Sequence, residues 1–237
     1  MFKRIAVVAA LLLGSFSLFA QDVAPGSTNS TPVVSKPARD FVMLQFGYQN
    51  WINKPDSVKL KGFNYTFSLF LCYDFPIQKS NFSFAAGLGI NANVIYLDHQ
   101  ILRLGDSAAS GAQATFLPDT VNYKRFKFAT TYLTAPFELR YFGNKLNRNR
   151  GVKAAIGLQI GTLLGAHTKG LRSVNGGNIK DKESTKNFIA TWNFAATARV
   201  GWGHFALYGS YNLTNVFKQN YGPDVTPYSI GIVLTGL

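Results

Sequence analysis

Bulky apolar residues occupy every second position along most of the chain. The segment NFSFAAGLGINANVIYL, at residues 81–97, shows the alternation: large apolar side chains at one set of positions, mostly Ser, Gly, Ala and Asn at the other. A period of two over such lengths predicts β-strands rather than helices. The pattern predicts eight strands, at residues 42–49, 63–75, 81–97, 124–142, 152–161, 187–202, 205–213 and 228–235.

Long connections alternate with short ones between the predicted strands. The long or polar connections cover residues 53–61, 98–122, 168–184 and 218–226. The short turns cover residues 76–81, 143–150 and 203–204. This order predicts an antiparallel meander with long loops at one end and short turns at the other.

The face of each strand opposite the bulky apolar residues distinguishes a soluble fold from a membrane-bound one. A soluble sheet carries Lys, Glu and Asp opposite its core, but here that face is small and almost uncharged. Small side chains suit the narrow interior of a closed eight-stranded barrel, and the bulky face then points outward. An apolar exterior aggregates in water and is solvated in a bilayer. The sequence therefore predicts an all-β fold, an eight-stranded antiparallel up-and-down transmembrane β-barrel.

The third predicted strand illustrates the expected orientation of single side chains. The residues expected to meet lipid are Phe82, Phe84, Leu88, Ile90 and Val94. The residues expected to fill the lumen are Ser83, Gly87, Gly89, Asn91 and Asn93. The alternative is a soluble ligand-binding barrel of the lipocalin kind, which needs a charged exterior. The predicted strands carry too few charges to supply one.

The first 20 residues have the features of a secretory signal peptide. Lys3 and Arg4 precede an apolar run that is short for a membrane span, and cleavage is expected near Ala20. We expect residues 21–39 to form a flexible periplasmic lead-in and residues 40–237 to form the barrel. Cys72 is the only cysteine, which excludes a disulfide framework and a cysteine-based zinc cluster.

Three segments carry a resemblance to a known family. They are YLTAPFELRY at residues 132–141, YNLTNVF at residues 211–217 and PYSIGI at residues 227–232. With the leader and the eight amphipathic strands, they resemble the small outer-membrane β-barrel family that includes PorT-like proteins, and the architecture resembles the OmpA transmembrane domain. The resemblance covers about residues 40–237 and implies the outer membrane of a Gram-negative bacterium. These motifs are architectural, so they specify fold and location rather than activity.

Several charged residues fall on the predicted inward face or near it. They are Glu138, Arg140, Arg199, Asp74 and Lys153. Unpaired charge inside a barrel is costly, so we expect these side chains to pair with one another. The network is either a structural set of salt bridges or a gate across the lumen. Both readings block the lumen and argue against a general diffusion porin.

Basic residues give the chain a net charge of +13, from 24 Lys and Arg against 11 Asp and Glu. This excess favours an anionic partner, and the secretory address argues against nucleic acid. We expect contact with outer-membrane lipids, including lipopolysaccharide at the long-loop end. The candidate lipid contacts are Lys124, Arg125 and Lys127 at that end, and Lys145, Arg148 and Arg150 at the short-turn end.

Three tripeptides consist of Asp, then Ser or Thr, then an apolar residue, at residues 56–58, 106–108 and 119–121. They resemble the acceptor used for O-linked glycosylation in some Gram-negative bacteria. The candidate acceptors are Ser57, Ser107 and Thr120, all in predicted outer loops.

Asp98 and His99, with Ser107 downstream, are the candidates for enzymatic chemistry. A base and a nucleophile must lie within hydrogen-bond reach, and adjacency in a loop does not establish that geometry. We therefore expect no catalytic residue, no cofactor and no metal.

The sequence favours a monomeric barrel with a structural or interaction role through the loops at residues 98–122 and 168–184. Three alternatives stay open. The PorT-like resemblance implies an accessory role in protein secretion across the outer membrane, and a small pore or a lipid-modifying enzyme would use the same fold.

Overall fold

Eleven β-strands make up the regular structure of the described residues. The computed structural model describes residues 40–78, 80–104, 113–144, 151–174 and 177–235, so the predicted leader and lead-in lie outside it. The strands are β1 (Asp40–Ile52), β2 (Tyr65–Pro76), β3 (Phe82–Leu97), β4 (Gln100–Arg103), β5 (Thr115–Pro118), β6 (Arg125–Phe142), β7 (Val152–Val174), β8 (Gly177–Ser184), β9 (Trp192–Trp202), β10 (Phe205–Asn212) and β11 (Thr226–Thr235). Among the described residues, no helix is long and apolar enough to cross a membrane.

Eight of the strands close into a barrel. They pair in the order β1, β2, β3, β6, β7, β9, β10 and β11, and β11 pairs back onto β1. Each pairing is antiparallel. Closure leaves no open edge in the barrel wall, so its backbone N–H and C=O groups find partners within the sheet. The predicted eight-stranded antiparallel barrel is confirmed.

Side chains alternate between a buried lumen and an exposed exterior. On β2, Leu71 is 66% exposed, whereas the neighbouring Phe70 and Cys72 are buried. The outward faces of the other barrel strands carry a similar belt of exposed Phe, Leu, Ile, Val, Tyr and Trp side chains. The expected orientation of β3 is correct for Phe82, Phe84, Leu88 and Ile90, which are exposed. Val94 has the same position in the alternation but is only 7% exposed, so the expected contact of this side chain with lipid is wrong.

The predicted loop at residues 168–184 is instead a β-hairpin. Strand β7 runs on to Val174, and β8 pairs with its distal half from His167 opposite Ser184. A bulge at Leu164 separates this half from the barrel half, because Thr131 pairs with Gly165 while Tyr132 pairs with Leu163. From Thr162, the last residue of β7 paired with β9, to Val174 the strand extends about 40 Å at ~3.3 Å per residue. The hairpin therefore projects beyond the barrel.

The start of β9 also differs from the prediction. The alternation places Phe188 on an outward strand face, but β9 begins at Trp192 and Phe188 is buried. The preceding segment leaves the barrel wall, since Ile189 forms a bridge with Phe217 in another connection. Phe188 and Ile189 therefore pack within the long-loop end, and Phe188 does not face outward.

Candidate functional site

The lumen is filled by side chains in four successive layers. Strand β2 passes three of them, because its inward residues Thr66, Ser68, Phe70, Cys72 and Asp74 run from the second layer to the short-turn end. The layers are an apolar cap, a layer of amides and hydroxyls, a second apolar layer and a charge cluster.

The apolar cap closes the long-loop end. It joins inward residues of the barrel strands to residues of the connections, and its members include Trp51, Val58, Leu102, Phe128, Phe188 and Phe217. Trp51 lies at its centre, with ring centroids 6.3 Å from Phe116, 6.4 Å from Phe128 and 6.4 Å from Phe217. Edge-to-face contacts of this kind are favourable beyond simple area burial. Sequence reasoning missed this cap, although apolar residues inside polar connections, such as Val58 and Leu102, were a signal for it.

Below the cap, hydrogen bonds join amide and hydroxyl side chains. Asn91 Nδ2 donates to Ser68 Oγ at 2.7 Å and to Thr66 Oγ1 at 3.3 Å, and Asn93 Nδ2 donates to Asn91 Oδ1 at 2.6 Å. The cavities in this region are only about 30 Å³ and about 20 Å³. Each has room for about one water molecule.

The second apolar layer combines large residues with glycine. Met43, Phe70, Cys72, Ala206, Tyr208 and Val233 form it. A Cβ atom on Gly89 would lie 2.7 Å from the Phe70 ring, and one on Gly87 would lie 2.7 Å from Cys72 Sγ. The close approach of the β2 backbone, of the Phe70 ring and of Cys72 Sγ therefore leaves room only for glycine at these two positions of β3.

The charge cluster lies at the short-turn end and brings the predicted lumen charges together. Arg140 Nε donates to Glu138 Oε2 at 2.7 Å, and Arg199 Nη2 donates to the same oxygen at 2.8 Å. Arg140 Nη1 also lies 3.5 Å from Asp74 Oδ1, which accepts a 2.9 Å hydrogen bond from Ser83. Lys153 Nζ lies 5.9 Å from the centre of the Phe142 ring and lines a cavity of about 20 Å³ with Arg140 and Arg199. The cluster ties together side chains from five strands.

The predicted lipid contacts lie in different settings. Lys124 and Arg125 are exposed at the long-loop end and line a groove of about 390 Å³ on the outer surface. Lys127 lies on the outward face of β6 and is half-buried. Lys145, Arg148 and Arg150 lie outside the described residues.

Two of the predicted glycosylation acceptors are accessible. Ser57 and Thr120 are exposed, and Ser107 lies outside the described residues. Beside Thr120, Asp119 accepts hydrogen bonds from the backbone N–H groups of Val121 at 3.0 Å and Tyr123 at 2.6 Å. This carboxylate holds the turn that presents Thr120.

The Asp98 and His99 pair lacks a nucleophile in the described part of the chain. His99 Nε2 lies 3.7 Å from Asp98 Oδ1, and Lys61 Nζ lies 3.2 Å from the same oxygen. No hydrogen bond joins His99 to a described hydroxyl, and Ser107 lies outside the described residues. No group of three His, Cys, Asp or Glu side chains in the described ranges is arranged to hold a metal ion.

Comparison with known proteins gives one family and distant structural likenesses. Residues 29–218 match the family described as "Outer membrane protein beta-barrel domain". No curated protein sequence matches the chain. The crystal structure of Ail, the attachment invasion locus protein of Yersinia pestis, is 13% identical, with 84% of this chain and 99% of Ail covered at a TM-score of 0.34. A mutant porin of Rh. blastica is 9% identical, with 83% and 99% covered at a TM-score of 0.21. Neither superposition establishes a common fold.

We predict that the substitution Glu138→Gln destabilises the barrel by about 3–5 kcal/mol, because it leaves Arg140 and Arg199 buried without the carboxylate that binds both. Urea-induced unfolding of the protein in detergent micelles measures the change. The matched control is Glu183→Gln on the projecting hairpin, for which we expect a change within about 0.5 kcal/mol. Equal unfolding midpoints for Glu138→Gln and the unsubstituted protein would contradict the structural role of the cluster.

Proposed function

Because the chain belongs to the outer membrane protein beta-barrel domain family, we propose that its barrel is a sealed anchor in the outer membrane and that its long-loop end is an interaction surface. The single observation that carries this proposal is the filled lumen. An apolar cap, a polar layer, an apolar layer and a charge cluster occupy the lumen, and the cavities described there are water-sized, at about 20 to 30 Å³. A barrel of this kind does not suit the passage of solutes, so its surfaces are left to carry the function.

The outer surface supports a lipid-embedded barrel. Its belt is apolar, and aromatic residues lie close to both rims, such as Tyr48 near the long-loop end and Trp202 at the short-turn end. We propose that the long-loop end faces outward, where Lys124, Arg125 and Lys127 meet the phosphates of lipopolysaccharide. The short-turn end then faces the periplasm, where Lys145, Arg148 and Arg150 meet anionic phospholipid headgroups.

The projecting hairpin is the best-formed surface for a protein partner. In the described residues β8 pairs only with β7, so its other edge presents unpaired backbone groups. An extended segment of another protein can add to such an edge as a further strand. Arg172 Nε lies 3.0 Å from Asp181 Oδ2 across the hairpin, which supports its rigid presentation. The secretion-accessory alternative would use the same surfaces, and capture of secretion components from solubilised membranes would favour it.

We predict that the purified protein in planar lipid bilayers shows no stable unit conductance. The variant Trp51→Ala should also stay silent, because the three deeper layers still block the lumen, although loss of this side chain from the cap should cost about 3–5 kcal/mol of stability. A general porin reconstituted in the same way shows that the measurement detects open barrels. Regular, stable openings of the unsubstituted protein would exclude the sealed-anchor function.

We propose that Ser57, Ser107 and Thr120 carry O-linked sugars in the native host. The exposure of Ser57 and Thr120 supports this for two of the three. Intact-mass measurement of protein extracted from its own membranes should give a mass above that of the bare chain, and Thr120→Ala should remove one increment. The control Thr115→Ala, an exposed threonine without the acidic neighbour, should remove none. A native mass equal to that of the polypeptide would rule the modification out.

A further inference from the structure

A surface groove lies outside the lumen, at the edge of the apolar belt nearest the long-loop end. It is about 390 Å³ in volume and lies between the start of β2, the end of β3 and the start of β6. Its aromatic lining includes Phe63, Tyr65 and Tyr96, and its cationic lining includes Lys61, Lys124 and Arg125. It lies in the size range of small-molecule sites.

The lower part of the groove is continuous with the apolar belt. Phe63 is 56% exposed, and its ring centroid lies 6.1 Å from that of Phe46 and 5.7 Å from that of Tyr48, both on the outward face of β1. The positive φ of Gly62, 71°, turns the chain between Lys61 and Phe63. The turn sets a cationic side chain directly beside the aromatic part of the groove.

The upper part of the groove is positively charged. Lys124 and Arg125 are exposed, and neither forms an ion pair with another described residue. Asp119 also lines the groove, but its two oxygens accept hydrogen bonds from the backbone of Val121 and Tyr123. Lys124 and Arg125 therefore have no ionic partner among the described residues, and they can bind an anion from outside the chain.

Hydrogen bonds hold the walls in place. Asn64 Oδ1 accepts the backbone N–H of Tyr96 at 2.7 Å, and Gln100 Oε1 accepts that of Lys59 at 2.9 Å. Tyr123 Oη donates to Asp181 Oδ2 at 2.8 Å and so joins the groove to the projecting hairpin. Burial, and then the bonded Asp181 carboxylate, raise the pKa of Tyr123. A groove already formed loses little entropy when a ligand binds.

We propose that this groove binds a phosphorylated glycolipid of the outer leaflet, with a phosphate at Lys124 and Arg125 and an acyl chain along Phe63 and Tyr65. The arrangement of side chains along the groove matches such a lipid. The aromatic part adjoins the belt that meets acyl chains, and the cationic side chains lie beyond it, where the phosphate would be. Guanidinium and ammonium groups are the side chains that bind phosphate most strongly. The assignment rests on the proposed outward orientation of the long-loop end.

The test is a binding titration of the full protein in detergent micelles with diphosphorylated lipid A, read by native mass spectrometry. We expect the double variant Lys124→Ala, Arg125→Ala to weaken binding by about 30-fold, from ~1 kcal/mol per cation. The matched control Lys180→Ala, Lys182→Ala removes two exposed positive charges from the hairpin outside the groove and should change binding less than about threefold. Phe63→Ala should weaken binding to the same lipid without altering its dependence on phosphate.

Two results would overturn the site. Equal losses for the two double variants would show that general surface charge holds the lipid, and equal binding of dephosphorylated lipid A would show that phosphate is not recognised. Each variant is first checked for the folded barrel by its gel migration before and after heating. The sealed-anchor function is tested by a different measurement. Stable channel openings in bilayers would contradict that function, but they would not change the result of the lipid titration in micelles.

Discussion

The requirement that every backbone N–H and C=O group in a bilayer finds a partner within the protein governs this structure. A closed antiparallel barrel meets it, because β1 pairs with β11 and no edge of the wall stays open. Closure of only eight strands then fixes a narrow interior, which side chains rather than water must fill. The apolar exterior and the filled lumen are thus two consequences of one constraint.

A narrow lumen imposes complementary packing between neighbouring strands. Phe70 occupies space that Gly89 leaves open, and Glu138 binds two arginines from different strands because a buried charge needs close partners. The same filling gives the barrel no evident conduit. The two proposed binding surfaces therefore lie at the rim. The groove and the projecting hairpin are on adjacent strands, and the hydrogen bond from Tyr123 to Asp181 joins them.

The sequence predicts the barrel wall well because one periodic signal reports it. The bounds of β3 and β6 differ from the predicted strands by one residue, and side-chain parity places Asp74, Glu138, Arg140 and Arg199 in the lumen. The sequence does not predict the distal half of β7 as a strand. This half forms a hairpin with β8 that has no apolar belt on either face, so its sequence lacks the alternation that marks the other strands. The cap is also hidden from periodicity. Its contacts, such as Trp51 with Phe217, join positions far apart in the chain.

The central claim is that the outward face meets acyl chains, and the three tryptophans test it directly. Trp192 and Trp202 are exposed on the outward face of β9, whereas Trp51 is buried in the cap. Tryptophan fluorescence should be measured in bilayers whose acyl chains carry bromine, which quenches indole on contact. The structure predicts strong quenching of a Trp51→Phe variant, which retains the two outward tryptophans, and little quenching of a Trp192→Phe, Trp202→Phe variant. The reverse order, or no quenching of either variant, would contradict the account.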